Sequence, residues 1–70
     1  MDNLVKKWIV LLYNEAIEET TNARLNEKYW LKGCGSTAEQ NTHEENIKRY
    51  EEYIEALEEL RDGFILKNGG

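Results

Sequence analysis

The sequence predicts an all-α fold: an antiparallel hairpin of two long helices, which pairs with a second copy to form a four-helix bundle. Proline is absent, and glycine is confined to positions 33, 35, 63, 69 and 70. Apolar residues recur at three- and four-residue steps on both sides of the first glycine pair, which is the helical period. No segment alternates with the period of two that marks a half-buried strand.

The first helix is predicted over residues 3 to 32. Its apolar positions share one face, and they are Val5, Trp8, Ile9, Leu12, Ala16, Ala23 and Trp30. Asp2 or Asn3 can cap its start. Gly33 is expected to end it in the left-handed conformation that glycine adopts cheaply. The middle of this helix contains β-branched and asparagine residues, so the sequence predicts a kink or frayed turn near Thr21 and Asn22.

The second helix has two candidate starts, because two capping boxes follow the glycines. Ser36 with Glu39 would limit the turn to residues 33–37, whereas Thr42 with Glu45 would extend it to residue 42. The helix is then expected to run to about residue 62, where Gly63 stops it. Residues 63–70 would form a short apolar tail, and the whole of 1–70 would be a single helical-hairpin domain.

A lone hairpin can bury only part of each apolar stripe, so the rest is predicted to form an interface. Closing the bundle with a two-fold axis buries the same patch of both copies. The residues predicted for this interface are Trp8, Ile9, Leu12, Ala16, Tyr50, Ile54, Leu57 and Phe64.

The segment WLKGCGSTAEQNTHEEN carries the only chemistry-bearing motif. A phosphate-binding loop needs glycines five positions apart and then a lysine, and this segment has neither. Cys34 lies between two glycines near a helix start, where a thiolate is favoured, but His43 is the only candidate base and no orienting group follows. We therefore interpret Cys34 as a loop thiol and His43 as a solvated residue, with a thiol-dependent site at Cys34 as an alternative.

Composition argues against several classes of function. One cysteine and one histidine are too few for a structural zinc site, and Gln40 stands where a di-iron Glu-x-x-His motif would need a glutamate before His43. We predict no catalytic residues, no metal site and no cofactor. A net charge of −5 and a pI near 4.8 disfavour direct binding of nucleic acid.

The acidic residues of the second helix have two readings. They are either a solvated face that keeps the bundle soluble or a face presented to a partner. The residues of this candidate partner face are Glu51, Glu52, Glu55, Glu58 and Glu59. In the second interpretation, the protein would mimic nucleic acid and so inhibit a nucleic-acid-binding protein. This interpretation rests on an analogy with small acidic proteins of phages and mobile elements.

Taken together, the sequence favours a non-enzymatic protein–protein interaction module, a homodimeric regulator or adaptor that binds itself and one further, unidentified protein. The absence of a second cysteine indicates a reducing cytoplasm, because no disulfide can form within the chain. The apolar run from Trp8 to Tyr13 is six residues long, far short of the roughly twenty that span a bilayer. No membrane span is expected.

Overall fold

A computed structural model describes residues 2–33 and 35–68, which form two helices, α1 (Asn3–Gly33) and α2 (Thr37–Asn68). The helices pack against each other along their whole length. They run antiparallel, because Lys6 contacts Asn68 near the free ends of the hairpin while Glu27 contacts His43 near the turn. The predicted all-helical hairpin is thus confirmed.

The start of α1 is capped by Asp2, one of the two predicted caps. Its Oδ1 accepts a hydrogen bond of 2.9 Å from the backbone N–H of Leu4, and its carbonyl accepts one of 3.0 Å from Lys6. A side-chain oxygen in this position satisfies a backbone donor that the first turn of a helix leaves free.

The predicted frayed turn near Thr21 and Asn22 is not present, since α1 is continuous from Asn3 to Gly33, and the alternative of a kink there stays a prediction. The hydroxyls of Thr20 and Thr21 each donate a hydrogen bond of 2.7 Å to the carbonyl four residues earlier, on Ala16 and Ile17. Both hydroxyls are therefore satisfied inside the helix rather than competing with it. Packing against α2 outweighs the low helix propensity of this stretch.

The turn is the shorter of the two predicted alternatives. Ser36 Oγ accepts a 3.1 Å hydrogen bond from the N–H of Glu39, and the Ser36 carbonyl accepts one from Gln40, so α2 begins at Thr37. The expected left-handed glycine at the end of α1 is wrong. Gly33 is the last residue of α1, and neither Gly33 nor Gly35 has a positive φ.

The predicted end of the second helix near residue 62 is also wrong, because α2 continues through Gly63 to Asn68. A single glycine inside a helix costs only about 1 kcal/mol. This cost is offset because Phe64 and Ile65 are half-buried and the end of α2 is tied down. Lys6 Nζ donates a 2.8 Å hydrogen bond to the Asn68 carbonyl, where a cation also suits the helix dipole. The residues predicted as a tail up to Asn68 are therefore part of the hairpin.

The core of the hairpin is a single seam between the two helices. None of the residues that the structure describes is fully buried. The half-buried residues are Lys6, Ile9, Val10, Tyr13, Ala16, Ile17, Thr20, Thr21, Ala23, Arg24, Glu27 and Leu31 of α1, and His43, Asn46, Ile47, Tyr50, Ile54, Leu57, Arg61, Phe64, Ile65 and Asn68 of α2. Neither α1 nor α2 combines the length and the apolar character that crossing a membrane requires.

Candidate interaction surface

The residues predicted for an interface divide between two different surfaces. Four of them, Tyr50, Ile54, Leu57 and Phe64, are half-buried in the seam inside one hairpin, and Ile9 and Ala16 are half-buried at the edge of the seam. The other two, Trp8 and Leu12, remain 59% and 60% exposed. The sequence pattern combined these surfaces because both consist of apolar residues at helical spacing.

One broad side of the hairpin carries exposed apolar residues from both helices, among them Leu12 and Trp30 of α1 and Leu60 of α2. The seam uses residues 10, 17, 24 and 31 of α1 and residues 47, 54, 61 and 68 of α2, a seven-residue repeat. In an antiparallel pair, the residues that lie one and five positions before these seam residues are on the same side of the molecule in both helices. We call this side the apolar face. In α1 the apolar face consists of one row with Ile9, Ala16, Ala23 and Trp30 and a second row with Val5, Leu12, Glu19 and Asn26. In α2 it consists of one row with Asn46, Tyr53, Leu60 and Lys67 and a second row with Thr42, Arg49, Ala56 and Gly63.

Besides Val5, three large members of the apolar face were not among the residues predicted for an interface: Trp30, Tyr53 and Leu60. Their side chains are 56%, 52% and 57% exposed. The sequence feature that could have identified Tyr53 and Leu60 is the seven-residue step from Asn46 to Tyr53 to Leu60, one position before the seam residues. It becomes interpretable only when the residues of the seam itself are known.

The charges of the molecule are sorted away from the apolar face. Of the 14 acidic residues of the chain, Glu19 is the only one in the rows of the apolar face defined above. Glu39 extends the row of Asn46 and Tyr53 toward the start of α2, and the other acidic residues of α2 lie on its opposite and outer sides. All five residues of the predicted partner face are exposed there, namely Glu51, Glu52, Glu55, Glu58 and Glu59.

At the free ends of the hairpin, the two helices are joined by polar contacts beside an open groove of about 590 Å³. Lys6 bonds the end of α2, and Arg61 donates a 2.9 Å hydrogen bond to Asn14 Oδ1. Asn68 Nδ2 donates to the Phe64 carbonyl at 2.9 Å. The bonds of Lys6 and Arg61 therefore hold α1 and α2 together, whereas the bond from Asn68 to Phe64 lies within α2.

His43 is not the solvated residue that the sequence suggested. Its Nδ1 lies 2.5 Å from Glu27 Oε2 as a hydrogen bond to the carboxylate, and the two side chains are 25% and 18% exposed. The contact ties α1 to α2 near the turn. In the same half of the seam, Arg24 Nε is buried without a hydrogen-bond partner.

Cys34 lies outside the described residues, so the thiol-dependent alternative stays a prediction. Within residues 2–33 and 35–68, no group of three side chains that could ligate a metal comes together. What the described surface offers is therefore a choice between an apolar face and an acidic one. Comparisons with protein-family models, with curated proteins and with solved structures found no match for this chain.

Proposed function

We propose that this chain is a non-enzymatic protein–protein interaction module, a homodimeric regulator or adaptor that acts by binding another protein. The observation that carries the proposal is the lack of a closed core. The radius of gyration is 15.9 Å, whereas a compact domain of this length has about 11 Å. Every described residue remains in contact with solvent, so the apolar side chains have burial still to gain.

The exposed area gives this argument a magnitude. The chain exposes 5468 Å², and a compact monomer of 8.2 kDa exposes about 4,500 Å². The excess is about 900 Å², close to the roughly 800 Å² that each partner contributes to a stable protein–protein interface. A second hairpin that completes a four-helix bundle would remove an excess of this size.

We further propose a small bacterial or phage protein of the cytoplasm, based on the size, the acidity and the single cysteine of the chain. The test of self-association is light scattering coupled to size-exclusion chromatography at micromolar concentration. A dimer of twice the 8.2 kDa chain mass is expected, with a melting temperature that rises with protein concentration. A folded monomer whose melting temperature is unchanged over a hundredfold dilution would contradict the proposal.

A second candidate is an acidic nucleic-acid mimic that occupies the site of a nucleic-acid-binding protein. The observation in its favour is that Glu51, Glu55 and Glu58 are all exposed and lie on the side away from the apolar face. Wild-type protein and a triple Glu→Lys variant at these positions should be compared as bait in a host extract. Mimicry predicts that duplex DNA elutes the proteins held by wild type and that the variant holds none of them. Retention by both baits would favour the adaptor.

A further inference from the structure

We propose that the apolar face is the surface by which two copies of this chain pair, and that the acidic side of α2 points outward from the resulting bundle. This inference rests on the proposed function, because it names the surface that self-association would use. It goes further than the proposed function because it assigns pairing to one side of the hairpin, whereas the helical spacing of apolar residues does not distinguish the two sides.

The first support is the distribution of apolar residues across the two helices. Val5, Leu12 and Trp30 of α1 and Tyr53 and Leu60 of α2 are each about half exposed, and all occupy rows on the same side of the seam. A face supplied by both helices can meet another such face over its full width. By contrast, a stripe on one helix alone would bury only a narrow line of contact.

The second support is the sorting of charge. Two acidic molecules repel each other unless the surfaces that meet are poor in carboxylates. In the rows of the apolar face within α1 and α2, Glu19 and Glu39 are balanced by the cations Arg49 and Lys67. The opposite side presents the carboxylates Glu18, Glu44, Glu51, Glu55, Glu58 and Asp62 and the lysines Lys7, Lys28, Lys32 and Lys48, so carboxylates outnumber cations there and pairing on that side is less favourable.

The third support is area and closeness of approach. The hairpin measures 52 Å by 15 Å across its broad side, so one face covers about 780 Å² and a face-to-face pair would bury about 1,600 Å², the size of a standard stable interface. Ala16, Ala23, Ala56 and Gly63 are spread among the larger side chains of this face. A β-carbon added at Gly63 would meet nothing within 4 Å, so the space over that part of α2 is open to a second hairpin.

The experiment uses leucines that are matched in exposure but lie on different sides. Leu60 on the apolar face is 57% exposed and Leu25 on the other side of α1 is 56% exposed. Leu12 on the apolar face has Leu11 beside it, pointing away from that face. Each is changed to Asp in the full chain, and dimer dissociation is measured by light scattering and sedimentation across a concentration series.

Leu12→Asp and Leu60→Asp should raise the dissociation constant roughly a hundredfold or more, because a charge would be buried without a partner. Leu11→Asp and Leu25→Asp should leave it within about threefold of wild type, since their charges stay in water. Ala56→Asp adds a variant at an exposed, small residue outside the seam. It should dissociate the dimer while circular dichroism shows that helical content persists, which separates lost pairing from lost folding.

The outcomes distinguish the two levels of the proposal. A wild-type chain that is monomeric at every concentration overturns self-association itself. The wild type could instead be a dimer that both substitutions of a matched pair weaken equally, or that Leu11→Asp and Leu25→Asp weaken more. That result overturns the assignment of the face while self-association stands. Dissociation by Leu12→Asp, Leu60→Asp and Ala56→Asp alone supports both.

Discussion

The two halves of the seam are built differently. In the half near the free ends, α1 presents Ile9, Val10 and Ile17 to an α2 segment that contains Leu57 and Phe64, and all five are half-buried. Polar contacts in this half lie at its edge and at the helix ends, as in the hydrogen bond from Arg61 to Asn14. This half is held mainly by removing apolar area from water.

In the half near the turn, half-buried polar residues lie on both helices, among them His43 and Asn46 of α2. Thr20, Arg24 and Glu27 are half-buried there, and the hydrogen bond of Glu27 to His43 is a contact with defined geometry. Apolar contacts are non-directional, whereas a hydrogen bond fixes distance and angle. Directional hydrogen bonds join the helices in both halves, so the comparison indicates that the free-end half supplies most of the stability, and that the contact of Glu27 with His43 fixes how the helices meet near the turn.

The largest effect is expected from a charge placed in the apolar half. Leu57→Asp would put a carboxylate into the apolar part of the seam against α1, at a cost of about 3–5 kcal/mol, which is a large part of the stability of any small domain. Circular dichroism should show a largely unfolded chain at 25 °C. Leu66→Asp is the control, since Leu66 is 85% exposed and should melt like wild type. Equal loss in both variants would contradict the division of the seam.

The second effect tests the directional contact of the turn half. His43→Ala and Glu27→Gln should each lower the free energy of unfolding by about 1 kcal/mol, because the contact is partly exposed and so weaker than a buried one. Urea denaturation at one fixed protein concentration is the measurement. The double variant should cost little more than either single change if the two side chains act as a pair. Full additivity would mean that each stabilises the hairpin separately.

A gain of stability is expected at Arg24. Its Nε is buried without a hydrogen-bond partner, so Arg24→Met should raise the free energy of unfolding by about 1 kcal/mol while the flexible thioether side chain fills the same space. Lys28→Met, one turn further along α1 at an exposed position, is the control and should be neutral within about 0.5 kcal/mol. A loss of stability in Arg24→Met would show that the guanidinium group supports the polar half.

The smallest effect concerns the end of α1. Gly33 is helical without a positive φ, and a β-carbon there would meet nothing within 4 Å. Gly33→Ala should therefore raise stability by about 0.5 kcal/mol, through lower entropy of the unfolded chain. Thermal melting at fixed concentration checks this against Lys32→Ala as control. A clear loss would restore the left-handed turn that the sequence first suggested.

Local signals in the sequence were sufficient for the elements and most of their ends. The helical period and the candidate caps act within a few residues of chain, so they could be recognised without any tertiary information, although the sequence left two candidates open at each helix start and the structure shows Asp2 and Ser36 in use. The end of α2 could not be placed in this way. Gly63 is a helix-breaking signal locally, and it was overridden by contacts of Phe64 and Asn68 with a helix more than fifty residues earlier.

The sequence by itself determined that the chain is helical, acidic and too short to bury its apolar residues alone. Only the tertiary structure decided which apolar residues face the partner helix and which face outward. Ile54 and Leu60 have the same apolar character and similar spacing to their neighbours, yet the first is half-buried and the second is exposed. The physical reason is that helical periodicity fixes the relative angle of side chains around one helix, whereas the direction of a second helix is set by long-range packing.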